Sequence, residues 1–206
     1  MNDKTAVPNL ESYYKFHATI YDLTRWSFLY GRKKAINELN CYDMNPVEIL
    51  EVGCGTGANL IQLAKKFPAS TFTGIDLSTE MLDKAAGKKN IQQFKVELIR
   101  ENYLHFDSPK KYDIILFSYA LTMMGKDKSA ILEKAIYDLN AGGIITIVDF
   151  HSTEYNWFRK WMEFNHVEME KLIDKNLLST LKTERLAIKK AYFGLWKYFI
   201  YWGRKA

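Results

Sequence analysis

Gly53, Gly55 and Gly57 stand at alternate positions between a short apolar run (Ile49, Leu50, Val52) and the start of a helical pattern. That order reads as a strand, a tight turn and a helix N-terminus. It constrains the chain strongly, because few folds place three glycines at one strand-to-helix junction. Lacking Cβ atoms, these positions let main-chain N–H groups come close to a bound ligand. The turn alone does not identify the ligand. Gly-Cys-Gly-Thr-Gly-Ala also passes the loose pattern of a dinucleotide loop, so a nucleoside and a dinucleotide both remain open on this segment.

The flanking residues separate the two. Glu51 precedes the first glycine by two residues, at the end of the strand, where a carboxylate can hold a cationic aminoacyl group. An acid there would do nothing for a pyrophosphate. A second apolar stretch, Thr71-Phe72-Thr73-Gly74-Ile75, ends at Asp76, followed by a helix signal with Ser78 as N-cap and Glu80, Met81 and Leu82 behind it. An acid at that strand tip can accept hydrogen bonds from both ribose hydroxyls; the plainer reading makes Asp76 a helix cap. On these residues the segment from about Val47 to Phe150 resembles the class I S-adenosylmethionine-dependent methyltransferases.

The resemblance implies S-adenosyl-L-methionine as cofactor and assigns its contacts. Glu51 would face the aminoacyl end, and Gly53, Cys54, Gly55 and Gly57 would form the turn. Asp76, with Leu77 and Met81 after it, would hold the ribose side. Glu101 or Asn102, past the third strand, would meet the adenine amino group, unless that stretch is only a solvated loop. Ser118, past the fourth strand, would lie beneath the sulfonium, with Tyr119 as core or substrate wall. A nicotinamide-dinucleotide oxidoreductase is the competing reading. Phe117-Ser118-Tyr119-Ala120 lacks the Pro-Pro-Tyr/Phe ending of amino-methylating nucleic-acid enzymes of this fold, which disfavours base methylation.

A chain of 206 residues suits one domain with a sizeable core, divided here as residues 1–46, a helical lid, 47–150, the cofactor core, and 151–206, a C-terminal helix and hairpin on the substrate side. Two cysteines, Cys41 and Cys54, are too few for a disulfide framework and fit a reducing compartment. Met1 to Thr5 lacks a basic segment followed by an apolar run, and no stretch is apolar for long enough to span a bilayer. A cytoplasmic protein is expected, with peripheral contact at the inner membrane face. Charge is uneven. Met1–Pro46 carries 6 basic and 5 acidic residues, Val47–Phe150 carries 12 and 13, and His151–Ala206 carries 11 and 6. The whole excess of +5 therefore falls in the last segment. All five tryptophans also lie outside the central one.

Alternating apolar runs and helical patterns predict an α/β fold, a doubly wound and mostly parallel seven-stranded sheet. Helices are expected over Asn59–Phe67, Lys128–Asn140 (stopped by Ala141-Gly142-Gly143) and Trp157–Leu178. Further strands are expected over Phe94–Ile99, Asp113–Phe117 and Ile144–Val148. Leu181–Tyr192 and Trp196–Trp202 read as a closing antiparallel hairpin, and the resemblance implies the same. Glu11–Leu39 has a helical rhythm broken near Asp22 and Gly31.

Methyl transfer needs its reactants aligned and water excluded. An amine acceptor needs only a neutral lone pair; an oxygen acceptor usually wants a base. Tyr14, His17 and Tyr21 are the candidate catalytic groups, with Asp149 and His151 also titratable and near a strand tip. No residues fall at metal-ligand spacing, so no metal is expected. The aromatic stretch from Tyr13 to Arg32 is either a packing helix or a lid whose rings could face a cationic amine. The run from His17 through Tyr21-Asp22-Leu23-Thr24-Arg25-Trp26 to Gly31-Arg32, with Gly194-Leu195-Trp196-Lys197-Tyr198-Phe199 and Gly203-Arg204-Lys205, is similar to the N-methyltransferases of betaine-lipid (diacylglyceryl-trimethylhomoserine) synthesis. That resemblance implies N-methylation of an amine-bearing lipid headgroup. A soluble small-molecule acceptor, or cofactor binding without catalysis, are the alternatives. The basic tail carrying Tyr192, Phe193, Trp196, Tyr198, Phe199, Tyr201 and Trp202 suits an anionic membrane, or else its aromatics alternate into the core. Single-stranded RNA would match the same chemistry, but an excess of five charges is small for a nucleic-acid surface.

Overall fold

Strand β1 (Glu48–Val52) lies at the centre of a seven-stranded sheet with the order β3-β2-β1-β4-β5-β7-β6. The computed structural model describes residues 29–39, 46–169 and 180–206. β2 (Thr71–Asp76), β3 (Val96–Arg100), β4 (Tyr112–Ser118) and β5 (Leu139–Ser152) join it in parallel, each through its neighbour. β6 (Leu181–Ala191) and β7 (Trp196–Lys205) form the closing hairpin, and β7 runs antiparallel to β5. The expected doubly wound, mostly parallel sheet with a terminal hairpin is the observed fold.

Consecutive residues of the central strands are buried in opposite layers, as a sheet covered on both faces requires. Ile49, Ile114, Leu116 and Ile144 pack with Leu60, Leu63 and Phe158 on one side. Leu50, Ile115, Phe117 and Ile145 pack with Ile131, Leu132 and Ala135 on the other. The first layer is supplied by α1 (Arg32–Asn37), α2 (Ala58–Lys66) and α6 (Asn156–Phe164). α5 (Lys128–Asp138) serves the second. α3 (Thr79–Ala86) and α4 (Lys89–Gln92) complete the β2–β3 crossover. Gly74 matters to this packing: a Cβ there would stand 2.7 Å from Leu60 Cδ1 and 2.9 Å from Cys54 Sγ.

Two local expectations change and one open alternative is decided. α5 ends at Asp138 rather than at Asn140, because Leu139 is already extended, buried and paired with Tyr112. α6 ends at Phe164, and of the helix expected on to Leu178, residues 170–178 lie outside the described residues. His166 takes a left-handed φ of 59°, its N–H bonds the Glu163 carbonyl, and the Val167 N–H reaches back to Met162. Burial of Val167 with Met162 completes a helix stop that ordinarily uses glycine, so no glycine signalled it. Third, the tail aromatics resolve toward the core. Trp196, Tyr198, Phe199, Tyr201 and Trp202 are buried, while Tyr192 and Phe193 are exposed in the turn. Gly31, at φ 84°, opens α1, and the break expected near Asp22 lies outside the described residues.

Candidate cofactor and acceptor site

The order of the sheet reverses between β1 and β4, and at the carboxyl ends of these strands lies a cleft of about 380 Å³. That is where an open α/β sheet binds ligands, and the volume suits a small organic molecule. The first wall is the glycine turn. Gly53 and Gly55 line the cleft with φ of 73° and 53°, and Gly57, φ 72°, caps α2 just behind. The N–H groups of Gly53 and Cys54 both bond the Ile75 carbonyl, at 2.8 and 3.0 Å, which fixes the turn to the tip of β2. At Gly53 a Cβ would stand 2.8 Å from Ala120 Cβ, so the turn is seated directly against the loop after β4.

Asp76 ties the two halves together. One of its oxygens accepts the Gly55 N–H at 2.7 Å and the other accepts the Ser78 N–H at 2.9 Å. Ser78 in turn caps α3, its hydroxyl accepting from the Met81 N–H at 3.3 Å. Asp76 therefore braces the entry to the helix, whose cap is Ser78, and also lines the cleft. A carboxylate has about four lone-pair sites, so two main-chain donors leave acceptor capacity for a ligand.

Of the other residues named from sequence, Leu77, Met81, Glu101 and Asn102 line the cleft, and Leu77 is 60% exposed there. Glu51, Cys54, Gly57 and Ser118 do not. Glu51 is buried beneath the turn and accepts the side-chain N–H of Asn59 at 2.7 Å. Cys54 is buried against Gly74, and Ser118 is buried in β4, its hydroxyl without a partner among the described residues. Tyr14, His17 and Tyr21, with most of the aromatic lid, lie outside the described residues.

The far wall is Tyr119, Ala120, Met123 and Met124, followed by Asp127 and by Ile131 on α5. The sequence reading named Ser118 and Tyr119 past the fourth strand and missed the methionines. Leu-Thr-Met-Met-Gly has neither strand nor clear helix period, and two short 3₁₀ turns carry it. Tyr119 has φ 54°, packs edge-on against Phe150 at 4.7 Å and donates its hydroxyl to the Tyr30 carbonyl at 2.7 Å. Burial, and then the nearby Asp149 charge, hold its phenol well above the usual range, so it acts as a donor and not a base. Asp149 itself is fully buried and pushed up to about 6 by that burial, against hydrogen bonds led by the Thr122 hydroxyl. His151 bonds the Ser152 hydroxyl at 2.8 Å and is lowered by burial and then by Lys197. Neither lines the cleft. Among the described residues no three of His, Cys, Asp and Glu group to hold a metal, and no helix is long and apolar enough to cross a membrane.

A family model described as a methyltransferase domain matches residues 45–193. A malonyl-[acyl-carrier protein] O-methyltransferase of Priestia megaterium is 33% identical over 108 residues, which cover 52% of this chain and 39% of that one. The chain thus matches about two-fifths of that relative's length. Among solved structures, the N-methyltransferase NodS from Bradyrhizobium japonicum in complex with S-adenosyl-L-homocysteine superposes with a TM-score of 0.75 at 16% identity, over 96% of this chain and 98% of that one. Phospholethanolamine N-methyltransferase 2 of Haemonchus contortus, with phosphomonomethylethanolamine and S-adenosylhomocysteine, gives 0.76 at 14% identity, over 97% and 61%. At such identities the two structures establish the shared fold.

Proposed function

This chain belongs to the methyltransferase domain family, and from that premise we propose that it transfers the methyl group of S-adenosylmethionine to the amine of a lipid headgroup, of betaine-lipid or phospholipid type. The observation that carries the cofactor part is the Asp76 carboxylate, fixed by Gly55 and Ser78 at the rim of the cleft with lone pairs to spare. The residues fit the nucleoside by shape as well. Gly53 and Gly55 keep the floor clear, Leu77 and Met81 offer apolar surface to a purine, and Glu101 or Asn102 stands where an exocyclic amine would be met. Glu51, buried below the turn, would face the aminoacyl end from beneath.

When bound, the sulfonium supplies an electrophilic methyl carbon. The chain's part is to orient the acceptor, exclude water and receive no proton in the transfer itself. An amine meets these conditions. Its lone pair forms the new C–N bond as the C–S bond breaks, and its proton leaves to solvent. The lining fits such an acceptor, since no histidine or cysteine is among its described residues and both its tyrosine phenols, Tyr103 and Tyr119, are held protonated, each chiefly by burial. The lipid part rests on the motifs shared with betaine-lipid N-methyltransferases and on the basic, aromatic final segment.

A second reading is methylation of a soluble carboxylate, which also needs no base. The relative named malonyl-[acyl-carrier protein] O-methyltransferase favours it. Purified protein with methyl-labelled cofactor separates the two. Label in the lipid fraction from aminolipids supports the first, and label only in soluble acids overturns it. Calorimetric uptake of S-adenosylhomocysteine without transfer to any acceptor would leave a binding protein.

A further inference from the structure

We infer that the aromatic face of α6 and the β6–β7 turn form a docking surface for an anionic lipid membrane, placed at the mouth of the cleft. Trp157, Trp161 and Phe164 recur at helical spacing and are exposed by 64%, 48% and 80%, while Phe158 and Met162 on the opposite side are buried. The hairpin turn adds Phe193, fully exposed. Tyr192, Phe193 and Gly194 take successive left-handed φ of 43°, 56° and 101°, so two aromatic residues are held where glycine is the usual choice. Such strain is kept where the surrounding structure uses it.

The two elements are one surface. Phe158 stacks on Trp196 at 5.5 Å, with Trp157 edge-on to Phe158 at 5.7 Å, and Trp196 meets Tyr192 at 4.7 Å. Topology puts this network at the cleft's end of the sheet. β5 is parallel to β4 and β4 to β1, so Ser152 ends β5 on the same side as the glycine turn. Lys197 pairs with Ser152, which brings the β6–β7 turn to that end, and α6 begins there too. Tyr30 joins network to site: its ring lies 5.4 Å from Tyr192, and its carbonyl accepts the hydroxyl of Tyr119 on the cleft wall.

Charge selects the occupant. Across residues 154–164 and 189–197 there are five basic residues and two acidic ones, and the acid Glu154 is paired with Lys197 at 2.8 Å. Exposed tryptophan and phenylalanine rimmed by lysine suit the headgroup layer of an anionic bilayer, with rings at the acyl boundary and ammonium groups on phosphates. The surface differs from the tail that the sequence suggested, whose aromatics past Gly194 are mostly buried in the sheet. Its purpose rests on the lipid-amine reading, since an acceptor in the membrane would reach the cleft without crossing water.

The test is sedimentation with phosphatidylcholine vesicles, alone and with about one-third phosphatidylglycerol, using the full chain and a triple variant, Trp157→Ala/Phe164→Ala/Phe193→Ala. The full chain is expected on anionic vesicles, and the triple variant should partition about tenfold more weakly with unchanged calorimetric uptake of S-adenosylhomocysteine. Absence of the full chain from anionic vesicles overturns the inference, as does equal partition of the variant. Self-association that the variant abolishes, without vesicle binding, would give the face to a second copy. A lowered Tm with unaltered partition would give it to this chain's own packing. Vesicle binding without lipid methylation would instead defeat the acceptor reading and leave the docking surface standing.

Discussion

Thr122 gives both its hydroxyl and its main-chain N–H to the buried carboxylate of Asp149, at 2.6 and 3.2 Å. The contact ties the tip of β5 to the loop that walls the cleft, so a residue with no place on the lining decides where Tyr119, Ala120 and Met123 stand.

The same contact predicts a pH dependence. Burial raises the Asp149 carboxyl from 3.8 to about 6, so the folded chain binds this proton more tightly than the unfolded chain. The stabilisation is full below about pH 4 and is lost as pH rises through 6, a swing of about 3 kcal/mol. Asp149→Asn should remove that slope. Urea midpoints of both proteins between pH 4 and 7 check it, and parallel curves would refute the assignment. The pH-independent offset should favour the wild type, because one amide oxygen cannot serve every donor of the carboxylate.

Two glycine substitutions should part stability from binding. Gly53→Ala sets a Cβ 2.8 Å from Ala120 at a φ of 73°, at the cleft itself. It should weaken S-adenosylhomocysteine uptake in calorimetry as well as lower Tm, with a strain cost of about 1–3 kcal/mol. Gly74→Ala crowds Leu60 and Cys54 behind the sheet and should cost about 1–3 kcal/mol of stability. Its folded fraction should bind normally.

Asp76→Asn tests the ribose contact. Loss of a charge-assisted acceptor costs about 1.5–3 kcal/mol, or roughly 10- to 150-fold in affinity. Ser78→Ala removes the helix cap next to it and should cost about 1 kcal/mol of stability. A cap-only role for Asp76 would make the two variants alike in a nucleoside titration.

Tyr119→Phe keeps the ring against Phe150 and deletes the bond to the Tyr30 carbonyl. It should cost about 1 kcal/mol of stability. Cofactor affinity should hold, and the KM for the methyl acceptor should rise, because the far wall loses its anchor. Steady-state kinetics against each substrate in turn distinguishes the two effects.

Much of the cofactor half was legible because it depends on local order. Gly53, Gly55 and Gly57 could only be a turn between strand and helix, and Asp76 followed by Ser78 could only mark a strand tip meeting a capped helix. These are short-range patterns, and the sheet around them follows from buried runs such as Ile114 to Phe117. The acceptor half was less legible. Met123 and Met124 carry no periodic signal, His166 ends a helix without glycine, and the aromatics from Trp196 to Trp202 read equally as core or surface. Alternation alone could not say which face β5 would cover.

By itself, then, the chain's order of residues determined the strand-turn-helix cradle, the acid that braces it and the direction of the sheet, since each is set by neighbours within a few positions. Only the tertiary structure decided that Asp149 braces the wall from outside the lining, that Glu51 lies under the turn, and that the tail aromatics past Gly194 are buried while Trp157, Trp161, Phe164 and Phe193 are exposed. Those outcomes depend on contacts between residues far apart in the chain, such as Asp149 with Thr122 and Phe158 with Trp196, and packing across the sheet settles them.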